Sequence, residues 1–124
     1  MCLVVGVLEL ATGISGPYLG KLFADHGADV IKVEPSDGDP ARRHGPWGES
    51  ATPPQGADNL ERSPLFLHLN TNKRSVIADI GNPSPDDDDI EFVRSLVAES
   101  DIVIEAFAPG HLDAVGLGLS LIHI

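Results

Sequence analysis

The fold is decided near the start of the sequence by residues 3–34, LVVGVLELATGISGPYLGKLFADHGADVIKVE. Residues 3–10 form an apolar, β-branched run of strand length, typical of a parallel strand that is buried on both faces. The small residues at 11–16 indicate a turn, and Pro17 then suits the first position of a helix. Because residues 28–33 fit a second strand, the segment predicts a right-handed βαβ unit with parallel strands.

The rest of the chain continues this alternation after a long interruption. Residues 35–64 are rich in proline and glycine and predict a long irregular loop, which is uncommon inside a compact domain unless it has a function. Residues 65–69 fit either a short helix or a short strand, and residues 75–80 predict a short strand. A helix over 86–99 and a strand over 101–107 follow. This order predicts an α/β fold with a Rossmann-like open parallel sheet.

The composition bounds the class of protein. The 124 residues allow one domain of ordinary size. Lysine and arginine total 8 against 19 acidic residues, so the formal net charge is −11. That balance argues against a surface for nucleic acid or for an anionic membrane, because either needs a cationic face. With 42% hydrophobic residues the chain can build a core, which excludes disorder of the whole chain.

Cysteine and histidine give no sign of a disulfide or a metal site. The one cysteine, Cys2, has no partner for an internal disulfide, and the five histidines lack the spacing of metal ligands. Residues 1–10 are apolar but lack a basic start and a small-residue cleavage site, and no apolar run is long enough to span a membrane. We therefore expect a cytoplasmic protein that binds no metal.

The last six residues, LSLIHI at 119–124, match one reading frame of a transposon-end sequencing adapter. We hypothesise that they are a non-native tail, that residues 1–118 are the N-terminal part of a domain, and that the natural gene continues past Gly118. The alternative is an ordinary apolar strand at the C-terminus. The nucleotide sequence distinguishes the two.

The glycines of the first turn are a candidate anion site. Gly13, Gly16 and Gly20 surround the predicted start of a helix, where exposed N–H groups can hold a phosphate. Glu34 follows at the end of the second strand, where a dinucleotide-binding fold places the acid that holds a ribose. The spacing is not that of a dinucleotide fingerprint, however, and Pro17 removes one amide. Small residues that allow a tight turn are therefore at least as good an explanation.

Two pairs of adjacent cations have the same two explanations. Lys73 and Arg74 precede a predicted strand and are flanked by amides and hydroxyls, so they can pair with phosphates or with carboxylates of the protein itself. Arg42 and Arg43, in the long loop, share this ambiguity. Sequence alone does not choose between a ligand and an internal partner for these four residues.

The end of the strand at 101–107 carries a further candidate. Open α/β sheets bind ligands at the carboxyl ends of their strands. Phe107 has the flat ring needed to stack on a ligand ring, although core packing is the usual role of a phenylalanine. Glu105 is a candidate general base, although an acid at this position is more often a structural group.

Four segments, taken in order, resemble the N-terminal part of the class III CoA-transferase family, also called the CaiB/BaiF family. They are VLELATGISGPYLGKLFADHGADVIKVEPSDGDPARRHGP (7–46), LNTNKRSVIADI (69–80), DIVIEAFAPG (101–110) and VGLG (115–118). The resemblance implies a thioester enzyme built from two linked Rossmann-like parts. It also implies that two complete chains are threaded through each other as an interlocked homodimer.

The family's chemistry implies the substrates. In the family, an aspartate carboxylate attacks an acyl-CoA to form a mixed anhydride, an enzyme-bound CoA thioester follows, and coenzyme A then passes to an acceptor carboxylate. The partners implied are therefore an acyl-CoA and a carboxylic acid. In the family the aspartate lies beyond the motif that matches Pro109 and Gly110, and Asp113 is too close to them to correspond. We assign no catalytic residue and expect this chain alone to be inactive.

The resemblance also implies which residues contact coenzyme A. The turn after the first strand offers backbone atoms, Phe107 packs near the adenine, and Lys73 and Arg74 match the family's N-K-R-S signature in either a binding or a structural role. The implied binding residues are Gly13, Ile14, Ser15, Lys73, Arg74, Ala78 and Phe107. The chain departs from the pattern at Ala106, where many members have asparagine, and at Ala114, where some have a phosphate-binding arginine.

Two other functions stay open. An α-methylacyl-CoA racemase shares the family's fold and early motifs, and would move a proton through a histidine and an aspartate that also lie downstream. A non-catalytic nucleotide-binding module that ends near residue 124 would express as a soluble monomer and bind a nucleotide unaided. For a fragment we expect the opposite, aggregation or partial unfolding, because its sheet edges and helix faces would lack their partners.

Overall fold

The computed structural model describes residues 3–45 and 63–118. Its strands are β1 (Gly6–Leu10), β2 (Asp29–Glu34), β3 (Arg74–Ile77) and β4 (Ile102–Glu105). Its helices are α1 (Ser15–Asp25), α2 (Pro64–Asn70), α3 (Asp87–Glu99) and α4 (His111–Ala114), with a short 3₁₀ helix at Pro40–Arg43. The four strands form one parallel sheet in the order β3-β2-β1-β4. The prediction of a Rossmann-like open parallel sheet is therefore confirmed.

The two faces of the sheet differ in chemistry. Under α3, Leu8, Leu10 and Val33 join Ile90 and Val93 of the helix in the larger apolar core. The opposite face, under α1, has a smaller apolar core at its amino end, formed by Val7, Ala24, Val30 and Ile104. Toward the carboxyl end of that face the strand residues are charged and buried. These are Glu9 of β1 and Lys32 and Glu34 of β2.

The start of the first strand differs from the sequence expectation. Residues 3–5 are exposed, and the strand begins at Gly6. The Asp101 carboxylate accepts a hydrogen bond from the Gly6 amide over 2.8 Å, which fixes this end of β1. From Val7 to Leu10 the strand is buried, as predicted. The apolar run of residues 3–10 is therefore longer than strand β1, which it contains.

Two expectations from the sequence concern the middle of the chain. Residues 64–70 form helix α2 rather than a strand, because Pro64 suits the first turn and the Ser63 hydroxyl accepts a hydrogen bond from the Phe66 amide. The predicted loop over 35–64 contains the 3₁₀ helix Pro40–Arg43, and its residues 46–62 lie outside the described residues. The predicted tail at 119–124 also lies outside them.

The strand predicted over 75–80 pairs only at Arg74–Ile77. The residues after it leave the sheet and turn inward, where Ala78 and Ile80 are each 2% exposed in the core beneath α3. Helix α3 begins at Asp87, with three aspartates in its first turn, where the positive end of the helix favours them.

Candidate functional site

The loops that follow β1 and β4 meet at the carboxyl edge of the sheet. These strands are neighbours, and a Cβ added to Gly16 at the start of α1 would lie 3.6 Å from Ala106 Cβ just after β4. Gly13 has a φ of +87°, and a Cβ added to it would meet nothing within 4 Å, so it turns the chain without being packed. Ile14 beside it is 62% exposed. The turn is therefore accessible to a ligand.

Close packing explains the other two glycines of the predicted anion site. A Cβ at Gly16 would lie 2.3 Å from Ala11 Cβ, and one at Gly20 would lie 1.9 Å from Glu9 Oε1. A side chain at either position would force the neighbouring atoms to move. These two glycines let α1 lie directly on β1, which is the tight-turn explanation of the pattern.

Four charged side chains form a buried cluster behind the turn, which we call the charged cluster: Glu9, Lys32, Asp39 and Lys73. Lys32 Nζ lies 2.9 Å from Glu9 Oε2 and 2.7 Å from Asp39 Oδ2. Lys73 Nζ lies 2.6 Å from Glu9 Oε1. All four side chains are at most 2% exposed. Two carboxylates and two ammonium groups balance, so each buried charge has an opposite charge beside it.

The charged cluster is hydrogen-bonded to the backbone of the turn. Lys32 Nζ donates to Ala11 O over 3.0 Å, and Lys73 Nζ donates to Pro17 O over 2.8 Å. Asp39 Oδ1 accepts from the Gly13 amide over 3.2 Å. The turn between β1 and α1 is thus held at Ala11 and Gly13, and the start of α1 at Pro17, by three side chains from elsewhere in the chain.

Glu34 and Arg42 form a second polar pair next to the charged cluster. Arg42 donates from Nε to Glu34 Oε2 over 2.9 Å and from a terminal nitrogen to Oε1 over 2.8 Å, and its guanidinium lies 3.7 Å above the ring of Phe66. The Ser75 hydroxyl and the Asp39 amide also donate to the Glu34 carboxylate. Glu34 therefore holds the loop after β2, which argues against the ribose-binding interpretation of this acid.

The pKa of Glu34 reflects these contacts. Burial disfavours its charged form, but the hydrogen bonds from Arg42, the Asp39 amide and Ser75 act in the opposite direction and outweigh it. The pKa of Glu34 is therefore lower than its ordinary value of 4.5. The carboxylate stays ionised in the folded chain to a more acidic pH than in the unfolded chain.

The adjacent cations Lys73 and Arg74 both have partners within the protein. Lys73 Nζ contacts Glu9, Pro17 O and, over 2.9 Å, Asn70 Oδ1. Burial lowers the pKa of Lys73 below 10.5, against the opposing influence of Glu9. Arg74 forms an exposed pair with Asp29, with 3.0 Å between Nε and Oδ1. The structural alternative for this motif therefore accounts for both side chains.

The two remaining predicted residues lie on the α3 side of the sheet. Ala78 is 2% exposed and packs in the larger core. Phe107 is half-buried at the edge of that core, and its ring centroid lies 4.8 Å from that of His111, whose Nε2 is 2.8 Å from Ile80 O. Phe107 is thus packed against the core and still partly exposed. Glu105 accepts a hydrogen bond from the Phe107 amide over 3.0 Å, a structural contact.

Sequence reasoning missed the charged cluster apart from Lys73. A signal was present for Glu9, because it interrupts a strand that is otherwise apolar and predicted to be buried on both faces. Charged residues at such positions need a buried partner. Asp39 gave no comparable signal, since it lies in a loop rich in polar residues.

The described residues also bear on metal binding and on membrane insertion. Within 3–45 and 63–118, no group of three or more histidine, cysteine or acidic side chains is arranged to hold a metal ion. No helix of the described part of the chain has both the length and the apolar character needed to cross a membrane.

Comparison with known proteins gives consistent matches. The sequence pattern of CoA-transferase family III matches residues 5–122. The succinate--glutarate CoA-transferase of Agrobacterium fabrum is 41% identical over 117 residues, which are 91% of this chain and 26% of that protein. Subunit BbsE of the succinyl-CoA:(R)-benzylsuccinate CoA-transferase of Thauera aromatica is 38% identical over 106 residues, 86% of this chain and 23% of the relative. The chain thus spans about a quarter of the length of these relatives.

A solved structure matches as well. The crystal structure of a CAIB/BAIF family protein from Brucella suis superposes with a TM-score of 0.77 and 38% sequence identity. The match covers 95% of this chain and 29% of that one.

Proposed function

The chain belongs to CoA-transferase family III, and we propose that the complete protein moves coenzyme A from an acyl-CoA thioester to an acceptor carboxylate. The observation that carries this proposal is the family match over residues 5–122, together with relatives that are named as CoA-transferases. The relatives' names suggest succinyl-CoA as the donor and a dicarboxylate as the acceptor. We further propose a cytoplasmic, interlocked homodimer.

Coenzyme A is proposed to bind at the carboxyl edge of the sheet. The exposed turn at Gly13, Ile14 and Ser15 offers backbone groups beside the start of α1, and the partly exposed ring of Phe107 is proposed to pack on the adenine. The proximity of the β1 and β4 loops supports this proposal, since Gly16 and Ala106 approach each other there. Lys73 and Ala78 are proposed to support this site from behind through their internal contacts, whereas Arg74 pairs with Asp29 at the amino end of β2.

The nucleophile is proposed to be an aspartate outside the described residues. Its carboxylate would attack the acyl-CoA carbonyl and release the CoA thiolate, which would attack the resulting anhydride and release the donor acid. The acceptor carboxylate would then repeat these steps in reverse. The acids near the turn support this view, because Glu9, Glu34 and Asp39 are all committed to buried ion pairs.

The test uses the product of the full reading frame, obtained by reading the gene in its source DNA to the end of that frame. We call this product the extended protein. Incubated with succinyl-CoA and glutarate, it is expected to form glutaryl-CoA, measured by liquid chromatography and mass spectrometry. Absence of transfer across a panel of acyl-CoA donors and carboxylic acids would overturn the proposal. Deuterium uptake at the α carbon of a 2-methylacyl-CoA without transfer would favour the racemase instead.

The 124-residue chain alone is a useful comparison. We propose that it is inactive, because its relatives are about four times as long and its described acids near the turn have internal partners. Transfer by the 124-residue chain at the rate of the extended protein would contradict this expectation.

A further inference from the structure

Asp39 connects the loop after β2 to the turn after β1. Its side chain is completely buried. Its Oδ1 accepts hydrogen bonds from the Ala41 amide over 2.8 Å and from the Gly13 amide over 3.2 Å. Its Oδ2 is 2.7 Å from Lys32 Nζ, as an ion pair rather than an aligned hydrogen bond. One carboxylate thus spans two loops at the carboxyl edge of the sheet.

The contact with Gly13 falls at the point where the turn is least constrained by packing. Gly13 has a positive φ and open space around it, whereas Gly16 is fixed by contact with Ala11. The exposed Ile14 follows directly. The hydrogen bond from Gly13 to Asp39 therefore restrains the accessible part of the turn at its least packed residue, while the Tyr18 amide holds Ile14 O from the helix side.

The buried charges are not needed simply to fill this face of the sheet. Well-packed apolar residues in place of a buried ion pair are often as stable or more stable, because burying charges costs solvation free energy. A charged group does allow a stronger hydrogen bond to a backbone amide than a neutral group does. Such a cluster can therefore specify one conformation of a turn that apolar packing would leave less defined.

We propose that Asp39 is a positioning residue for coenzyme A: its hydrogen bond to Gly13, with its charge balanced by Lys32, sets the turn in the conformation that binds the carrier. The inference rests on the proposed function, since it assumes that the turn binds coenzyme A. Asp39 is buried and acts through Gly13, so it is not a catalytic residue. Lys32 supports the same turn through Ala11, and Lys73 supports the start of α1 through Pro17.

The test measures the Kd of free coenzyme A for the extended protein by calorimetry, together with the melting temperature. Asp39→Ala is expected to raise this Kd by about tenfold or more, because it removes a hydrogen bond to a charged group. Asp39→Asn keeps an acceptor for Gly13 but loses the ion pair with Lys32. It is expected to melt at a lower temperature than the wild type, yet to bind coenzyme A within about threefold of the wild type.

Asp101→Ala is the matched control. It removes another hydrogen bond between a carboxylate and a glycine amide, from Gly6 at the opposite end of β1. Asp101→Ala is expected to lower the melting temperature and to leave the Kd for coenzyme A unchanged. The inference would be wrong if, across Asp39→Ala, Asp39→Asn and Asp101→Ala, a lower melting temperature always came with a proportionally higher Kd. The role of Asp39 would then be structural only.

A second pair of variants decides the question if Asp39→Ala does not fold. Lys32→Met combined with Asp39→Asn, and Lys32→Met combined with Asp39→Leu, both remove the buried ion pair while Glu9 keeps Lys73. They differ in whether residue 39 can accept hydrogen bonds from Gly13 and Ala41. The Leu version is expected to bind coenzyme A about tenfold more weakly than the Asn version. Equal Kd values would overturn the inference.

The wild-type measurement separates this inference from the proposed function. Wild-type extended protein that fails to bind coenzyme A overturns the proposed function and the inference with it. Wild-type binding with no change in Asp39→Ala overturns only the inference.

Discussion

Glu9 and Lys32 lie opposite each other on β1 and β2, and their side chains form an ion pair of 2.9 Å in a face of the sheet that is closed to solvent. Each charge is shared with a second partner, because Glu9 also contacts Lys73 and Lys32 also contacts Asp39. The charged cluster therefore joins both central strands to the loops that form the proposed binding site.

The first prediction compares the adjacent cations Lys73 and Arg74. In the extended protein, Lys73→Met is expected to lower the free energy of unfolding by about 3 kcal/mol, because it leaves Glu9 with one buried partner instead of two. Arg74→Met removes an exposed pair with Asp29 and is expected to cost less than about 1 kcal/mol. Urea denaturation measures both. Equal losses for the two variants would contradict the buried role of Lys73.

The same two residues show what sequence could and could not predict. Their adjacency in N-K-R-S indicated a shared role, with phosphate or internal carboxylates as partners. The structure separates them, because successive residues near the start of a strand point to opposite sides. Lys73 is buried beneath α1, whereas Arg74 is exposed at the edge of the sheet. Their positions depend on the path of α2, which the pattern did not define.

The second prediction concerns the close contact between α1 and β1. Gly20→Ala places a Cβ 1.9 Å from Glu9 Oε1, so the helix or the carboxylate must move. We expect a loss of about 1–3 kcal/mol in the free energy of unfolding of the extended protein, measured by urea denaturation.

Gly6→Ala is the control for this change. Its new Cβ would lie 3.6 Å from the nearest atom, Asp101 Oδ2, which is ordinary contact. It is expected to be nearly neutral in the same measurement. A neutral Gly20→Ala would show that α1 does not pack on Glu9 as described.

The parallel sheet itself was predictable from residues 3–34, since the strand, turn and helix signals there agree with one another. The boundaries of the individual strands were less predictable. Ala78 and Ile80 continue the apolar pattern of β3, but they lie after the strand and pack in the core beneath α3. A buried turn and a buried strand use the same residue types, so the pattern does not show where β3 ends. Distant pairings such as Glu9 with Lys73 depend on the tertiary fold and have no local pattern.

The third prediction concerns acid pH. The pKa of Glu34 is lower in the folded chain than its ordinary value of 4.5, so the unfolded chain takes up this proton first as the pH falls. The stabilisation from Glu34 is therefore complete above pH 4.5 and is lost as the pH falls through the folded-state pKa. Glu34→Gln is expected to be less stable than the wild type at pH 7, with a difference that shrinks below pH 4.5.

Denaturation of the extended protein with urea between pH 3 and pH 7 measures this difference. Glu99→Gln, an exposed change at the end of α3, provides the control and is expected to change the free energy of unfolding at pH 7 by less than about 0.5 kcal/mol. A difference between wild type and Glu34→Gln that stays constant across this range would contradict the ion pair with Arg42.

The fourth prediction concerns Phe107. Phe107→Leu keeps an apolar side chain against the core but removes the flat ring. In the extended protein it is expected to raise the Kd for coenzyme A by about fivefold or more, because stacking of a base on an aromatic ring contributes about 1–3 kcal/mol. The Kd for 4′-phosphopantetheine, which has no adenine, is expected to stay unchanged. Equal effects on both ligands would assign Phe107 to packing alone.

The central claim is that the carboxyl edge of the sheet, between the turn at Gly13 and the ring of Phe107, binds coenzyme A. A crystal structure of the extended protein with bound coenzyme A tests it most directly. We predict the carrier against the backbone of Gly13, Ile14 and Ser15, with its adenine on Phe107 and an aspartate from outside the described residues facing its thiol. Coenzyme A bound at another surface, with this edge unoccupied, would contradict the claim.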